Sequence, residues 1–162
     1  MIETKKLQSG VRVIIKRMEG LLSVTMGVLV GTGAAFETDA EDGISHFIEH
    51  MQFKGTPTRT AFELSDAFDA LGAQVNAFTG KDLTCYYSKA TSDHAREAFA
   101  LLADLFLNAN FPEEEMEREK DDIHNYVNLF GYNAKYGISG KPISSVTYKP
   151  QGFDPKRPLY EG

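Results

Sequence analysis

At 162 residues, 42% of them hydrophobic and 25% charged, the chain has the length and composition of one globular domain, large enough to bury a core without metal or disulfide staples. A formal net charge of −6, with lysines and arginines scattered among acids, gives no basic face, and no apolar run approaches the roughly 20 residues that span a bilayer. Neither nucleic acid nor a membrane is therefore an expected partner.

The N-terminal residues 1–6 carry charges but no apolar core or small-residue cleavage site behind them, so no signal peptide is expected and the cytoplasm is the expected location. Leu7-Gln8-Ser9-Gly10-Val11 reads as a tight turn between two strands, the second covering 11–16. The β-branched run from Leu22 to Val30 is a third strand, and Gly27, Gly31 and Gly33 mark bends or close backbone approach. A helix over about 43–53 follows, with Asp42 near its start and Ile44, Phe47, Ile48 and Met51 on its apolar side. Thr60-Ala61-Phe62-Glu63 is a capping-box pattern opening a second helix, in which Phe62, Leu64, Phe68 and Leu71 form the apolar spacing and Gly72 the stop. Strands over 75–79 and 84–90 are separated by the polar turn Gly80-Lys81-Asp82. Cys85, the one cysteine, lies in the second of them, allows no intrachain disulfide, and reads as a buried small hydrophobe more than a nucleophile.

From Ser92 to about Leu107, Ala95, Ala98, Phe99, Leu102, Leu105 and Phe106 form the stripe of a helix lying on a sheet. Pro112 followed by three glutamates opens a last helix, because proline is tolerated in the first turn and carboxylates suit the positive end of the helix dipole. That helix is expected to reach about Phe130. Residues 131–162 change character, with five glycines and four prolines in 32 residues, no sustained helical period and room for one short strand over 142–148. The expected organisation is a folded unit over 1–130 and an atypical glycine- and proline-containing segment over 131–162.

The sharpest chemical signal is His46-Phe47-Ile48-Glu49-His50. Residues three and four apart are neighbours on a helix, so His46, Glu49 and His50 project into one small volume. Neutral imidazoles suit Zn²⁺, and a nearby carboxylate that does not bind the metal can take a proton from water. The order H-x-x-E-H is the inverzincin signature. The plainer reading is an exposed helix face whose histidines and glutamate meet solvent or each other.

The flanking residues carry a resemblance. Gly27-Val28-Leu29-Val30-Gly31-Thr32-Gly33-Ala34, Gly43-Ile44-Ser45, Met51-Gln52-Phe53-Lys54-Gly55-Thr56, Leu71 to Thr79, and Thr84-Cys85-Tyr86-Tyr87 resemble, in order and spacing, the N-terminal part of the family of pitrilysin, insulin-degrading enzyme and the mitochondrial processing peptidases. The resemblance implies an α+β fold, a mainly antiparallel sheet packed against helices, as a truncated N-terminal domain of that metallopeptidase. It also implies peptide-bond hydrolysis with Zn²⁺ held by His46 and His50, and Glu49 as general base. Glu119 matches a further glutamate of the family's site; its plainer reading is a solvated acid in the run from Glu113 to Asp122. Asn76, Ala77 and Phe78 resemble the edge strand that accepts an extended peptide or unfolded polypeptide by β-augmentation, whereas the plainer reading is sheet pairing with Asn76 turned to solvent.

A hydrolytic zinc site usually has three protein ligands and one water. In the resembled family the third ligand is a glutamate one helix later, and counting on by the family's spacing puts Tyr126 there, with Val127 next to it. Neither is a carboxylate, and a phenol with an unperturbed pKa near 10 is a costly ligand at neutral pH. Asp122 and Glu119 share the helix face of Tyr126 whereas His124 does not, so Asp122 is the substitute, about 5.4 Å from the ideal level. The family's active members also carry a comparable second half, for which nothing after Phe130 is a match. Two readings follow: a metallopeptidase incomplete alone, joined by a second half-chain or by self-association, or a non-catalytic peptide-binding or assembly subunit. Structural zinc is a weaker third, because such sites normally have four protein ligands.

Overall fold

The computed structural model describes residues 2–38, 41 and 43–120. The chain opens with an antiparallel hairpin of β1 (Ile2–Lys6) and β2 (Arg12–Lys16), in which Ile2 faces Lys16 and Lys6 faces Arg12. β3 (Ser23–Val30) follows, then a single 3₁₀ turn at Ala34–Phe36 and helix α1 (Ile44–Met51). A short ladder of β4 (Gly55–Thr56) and β5 (Arg59–Thr60) leads into α2 (Ala61–Ala70). β6 (Gln74–Thr79), β7 (Thr84–Thr91), α3 (Ala95–Leu107) and a helix over 113–120, here α4, complete the described part.

The architecture is α+β with every strand pair antiparallel, arranged as three separate sheets among the described residues. The largest has the order β3-β7-β6, so β7 is central and both neighbours are edge strands among the described residues. β7 is central because Cys85, Tyr86, Ser88 and Ala90 are all buried, while β3 and β6 alternate between exposed and half-buried positions as one-sided strands do. The 3.6 period of α3 buries Ala98, Leu101, Leu102 and Leu105 against Tyr86 and Ala90 of β7 and Phe68 of α2. Phe68 is 1% exposed at the middle of this cluster. Phe68→Ala is expected to lower unfolding stability by about 3–5 kcal/mol, through lost transfer free energy and an unfilled cavity, as read from the midpoint of urea denaturation.

The capping box of α2 forms as its pattern predicts: the Thr60 hydroxyl accepts from Glu63 N–H at 3.2 Å and the Glu63 carboxylate accepts from Thr60 N–H at 2.8 Å. Two apolar assignments are corrected. Phe62 of α2 is 78% exposed, because it lies off the face of Leu64 and Phe68, and Phe99 of α3 is 53% exposed, about 100° round the helix from Ala98. Leu101 takes the buried place instead. In α1 the buried stripe is Phe47 and Met51, packed with Met116 of α4, while Ile44 and Ile48 stay more than a third exposed. Asp42 and everything past Lys120 lie outside the described residues, including Asp122, His124, Tyr126, Val127 and the boundary at 130.

One close approach sets the position of the loop before α1. Ala34 N–H donates to Gly80 O at 3.1 Å and Ala35 N–H to Lys81 O at 2.9 Å, docking the 3₁₀ turn on the β6–β7 turn. A Cβ on Gly33 would sit 2.3 Å from Gly80 O and 2.8 Å from Lys81 O, both backbone atoms that cannot swing aside. Glycine is required at 33 by space, since its backbone is extended.

Candidate metal centre

Helix α1 lacks a side-chain cap from its own N-cap, Gly43, whose φ of 86° is in the left-handed region. Glu37 supplies the cap from outside: one carboxylate oxygen accepts from Gly43 N–H at 2.7 Å and the other from Ser45 N–H at 2.8 Å. Two orphan donors at the positive end of the helix are thereby satisfied, and the turn carrying His46 is fixed. Burial pushes the Glu37 carboxyl up, but the bonds from Ser45 and Gly43 and the charge of His46 outweigh it and hold it below its ordinary value. A depressed folded-state pKa means the stabilisation is fully present above the unfolded value near 4.5 and is lost as pH falls through the folded one. Glu37→Ala is expected to cost about 0.5–2 kcal/mol at pH 7, the range of a lost cap. It should also leave a shallower loss of stability between about pH 5 and 3 than the unaltered chain shows, as measured by denaturant unfolding at each pH.

His46 and His50 meet edge to face, with ring centroids 4.5 Å apart and an interplanar angle of 89°. Their Nε2 atoms lie 3.0 Å apart. Two nitrogens each about 2.0–2.1 Å from a tetrahedral zinc would be about 3.3 Å apart, so the pair has the separation of two metal ligands, slightly closed. The Glu119 carboxylate accepts from His50 Nδ1, which leaves the His50 Nε2 lone pair on the side of His46. Partial desolvation pushes the His46 pKa down and the charge of His50 adds to this, against the opposing pull of Glu49, Glu119 and Glu37. His46 is accordingly a neutral imidazole near neutral pH, the form that binds a metal.

Glu49, one residue before His50, is held from the sheet: Thr79 Oγ1 at the end of β6 donates to Glu49 Oε2 at 2.5 Å. One carboxylate oxygen is thus occupied and the other is left to act on a neighbouring water. Glu119 comes from α4, its side chain only 5% exposed, with Lys54 Nζ 2.5 Å from Oε2. Burial pushes the Glu119 carboxyl up, but the hydrogen bonds and charges of Lys54 and His50 overcome this and keep it ionised. The plainer reading of Glu119 as a solvated acid does not hold, since its helix turns it inward onto α1.

A cavity of about 520 Å³ opens beside His50, lined by Glu49, His50, Phe53, Lys54, Val75 and Asn76 among others. Asn76 thus reaches the same space as Glu49 and His50. Its own Oδ1 accepts from Ala77 N–H at 2.8 Å, so the side chain occupies a strand-edge donor instead of simply facing water. Phe78 is 51% exposed and leans on Tyr87 across the strand pair, 6.5 Å between ring centroids. Burial, with the Glu49 charge adding to it, pushes Tyr86 up to about 12, so the phenol beneath the site stays neutral, and burial likewise raises Cys85. Among the described residues no third histidine, cysteine or carboxylate joins the two imidazoles as a metal ligand set.

Sequence reasoning missed Glu37, Thr79 and Lys54 as parts of this site. Thr79 carried a weak signal, since period-two alternation puts it on the same strand face as Val75 and Ala77. Glu37 and Lys54 act across contacts that no local pattern encodes.

Comparison with known proteins supplies the rest. The family model described as insulinase, peptidase family M16, matches residues 12–139, which runs past Lys120. A protein described as an uncharacterised zinc protease of Bacillus subtilis is 44% identical over 148 residues, covering 91% of this chain and 36% of that protein. A probable mitochondrial-processing peptidase subunit beta of Arabidopsis thaliana is 37% identical over 117 residues, 72% of this chain and 22% of that one. The crystal structure of a protease from Helicobacter pylori superimposes with a TM-score of 0.75 at 25% identity, covering 80% of this chain and 32% of its own. The chain spans roughly a third or less of the length of these proteins.

Proposed function

Because the chain belongs to the insulinase family of peptidases, family M16, and its relatives are named zinc proteases, we propose that it is the metal-binding part of a zinc metalloendopeptidase acting on extended or unfolded polypeptide. The observation that carries this reading is the convergence of His46 Nε2 and His50 Nε2 at 3.0 Å with Glu49 braced beside them. His46 and His50 would hold Zn²⁺, which when bound supplies a Lewis acid for the scissile carbonyl and an acidified water.

The chain's own residues do the remainder. Glu49 accepts the proton of the attacking water at the oxygen that Thr79 leaves free, hydroxide adds to the carbonyl carbon, and the proton passes to the departing amine as the C–N bond breaks. Glu119 keeps Nδ1 of His50 protonated and its Nε2 available. β6, an edge strand whose Val75 and Asn76 line the cavity, offers its backbone to a substrate strand, which would take the place of Asn76 Oδ1 at Ala77 N–H.

Completion of the site falls to residues beyond the described part, Tyr126 or Asp122, and to a second half-chain. The test is cleavage of an unfolded polypeptide by the full chain, alone and mixed with a complementary C-terminal half of a relative, with and without a chelator. Chelator-sensitive cleavage in either mixture supports the reading, and cleavage indifferent to the chelator contradicts it. The second reading, a peptide-binding or assembly subunit without chemistry, is favoured by the two-ligand set among the described residues; it predicts polypeptide binding with no cleavage in both mixtures.

Self-association is a further expected outcome. Ile2, Ile14 and Leu22 are 66%, 68% and 82% exposed along the first hairpin and the segment leading into β3. Light scattering of the 18.0 kDa chain should return a mass above the monomer, and a monodisperse monomer would count against it.

A further inference from the structure

Lys54 sits in the bend just after α1 and contributes nothing to the apolar core. Its ammonium lies 2.5 Å from Glu119 Oε2 and 3.8 Å from Glu115 Oε2, and its side chain is 22% exposed. Glu115 and Glu119 are neighbours on successive turns of α4, so Lys54 is the cation between two like charges. Glu115 also receives Arg118 at 2.6 Å, on its solvent side, whereas Glu119 has Lys54 and His50 as its partners among the described residues. Each oxygen of the Glu119 carboxylate is therefore used, Oε2 by Lys54 and Oε1 by His50 Nδ1.

A carboxylate with both oxygens engaged cannot rotate about its terminal bond without breaking one contact. Removing Lys54 frees Oε2, leaves a nearly buried carboxylate with one partner, and exposes it to the unshielded charge of Glu115. The response with least resistance is for Glu119 to swing away from His50 toward water. His50 would then lose the acceptor that selects its Nδ1–H form and directs its Nε2 at His46.

We propose that Lys54 is a positioning residue for metal binding: acting through Glu119, it fixes the His50 ring in the Nδ1–H tautomer with Nε2 turned toward His46. The inference rests on the zinc reading above and adds a residue to it. Among the described residues Lys54 makes no hydrogen bond to either imidazole, so it acts through Glu119. A plain tether between α1 and α4 would give a different result, since it would alter stability and leave the tautomer and the metal affinity of folded molecules unchanged.

The experiment uses the full chain and two variants, Lys54→Met and Lys54→Arg, each checked for folding by circular dichroism and thermal midpoint. Long-range ¹H–¹⁵N spectra of the metal-free proteins report the His50 tautomer without any metal. The expected result is a single Nδ1–H form in the unaltered chain and in Lys54→Arg, and a mixture of forms in Lys54→Met. Zinc titration against a competing chelator should show an affinity about tenfold weaker for Lys54→Met and largely kept by Lys54→Arg, the low end of the loss seen when outer partners of a metal ligand are removed. If Lys54→Met does not fold, a tautomer in Lys54→Arg unlike that of the unaltered chain overturns the proposal, and the same Nδ1–H form supports it. An unchanged tautomer and affinity in folded Lys54→Met overturns the role of Lys54 alone. A single Nδ1–H form lost in Lys54→Met, in a chain that binds no zinc, supports the positioning and overturns the zinc reading.

Discussion

His50→Ala is expected to weaken zinc binding by at least about two orders of magnitude, without unfolding the chain. The loss of an outer hydrogen-bond partner to a metal ligand already costs about 10–100-fold in affinity, and this change removes one of two nitrogen donors outright. It also removes the donor to Glu119, but Lys54 remains 2.5 Å from that carboxylate, so no charge is left buried without a partner. His50 is only half-buried and contributes nothing to the cluster of Phe47, Met51 and Met116. The fold should therefore persist while the metal is lost, a separation that competition titration and circular dichroism on the same sample can read. Affinity unaffected by His50→Ala would place the metal elsewhere on the chain.

Glu49→Gln carries the second large effect, on chemistry and not on binding. General-base catalysis contributes typically about 10²–10⁴-fold, and an amide cannot accept the proton of water. The amide introduced by this change can still accept from the Thr79 hydroxyl through its carbonyl oxygen, so the link between α1 and β6 survives. Zinc affinity should fall little while chelator-sensitive cleavage of an unfolded polypeptide drops by that factor. A variant that cleaves as fast as the unaltered chain would remove Glu49 from the base role.

How far the sequence revealed this arrangement depends on the range of the interaction. The order of strands and helices was legible because each element carries its own local signal: the Thr60–Glu63 capping box, the turn at Gly10, the stripe at Ala98, Leu102 and Leu105, the start after Pro112. His46, Glu49 and His50 were legible for the same reason, as helical spacing alone brings them together. Phe62 and Phe99 were misplaced in the core because an amphipathic period tolerates an extra aromatic beside the stripe, and only packing decides which side is covered. Contacts between elements were the least legible. Glu37 caps a helix that begins several residues later, Thr79 reaches Glu49 across 30 residues, and Glu119 reaches His50 across 69. The turn at Gly10 announces the hairpin of β1 and β2, but nothing local says that this pair stays outside the sheet of β3, β7 and β6 among the described residues.

X-ray absorption at the zinc edge of the metal-loaded full chain counts imidazole ligands by their outer-shell scattering. Two histidines are expected in the unaltered chain and one in His46→Ala. A spectrum without imidazole scattering, or one that His46→Ala leaves unchanged, would contradict the assignment of His46 and His50 as the metal-binding pair.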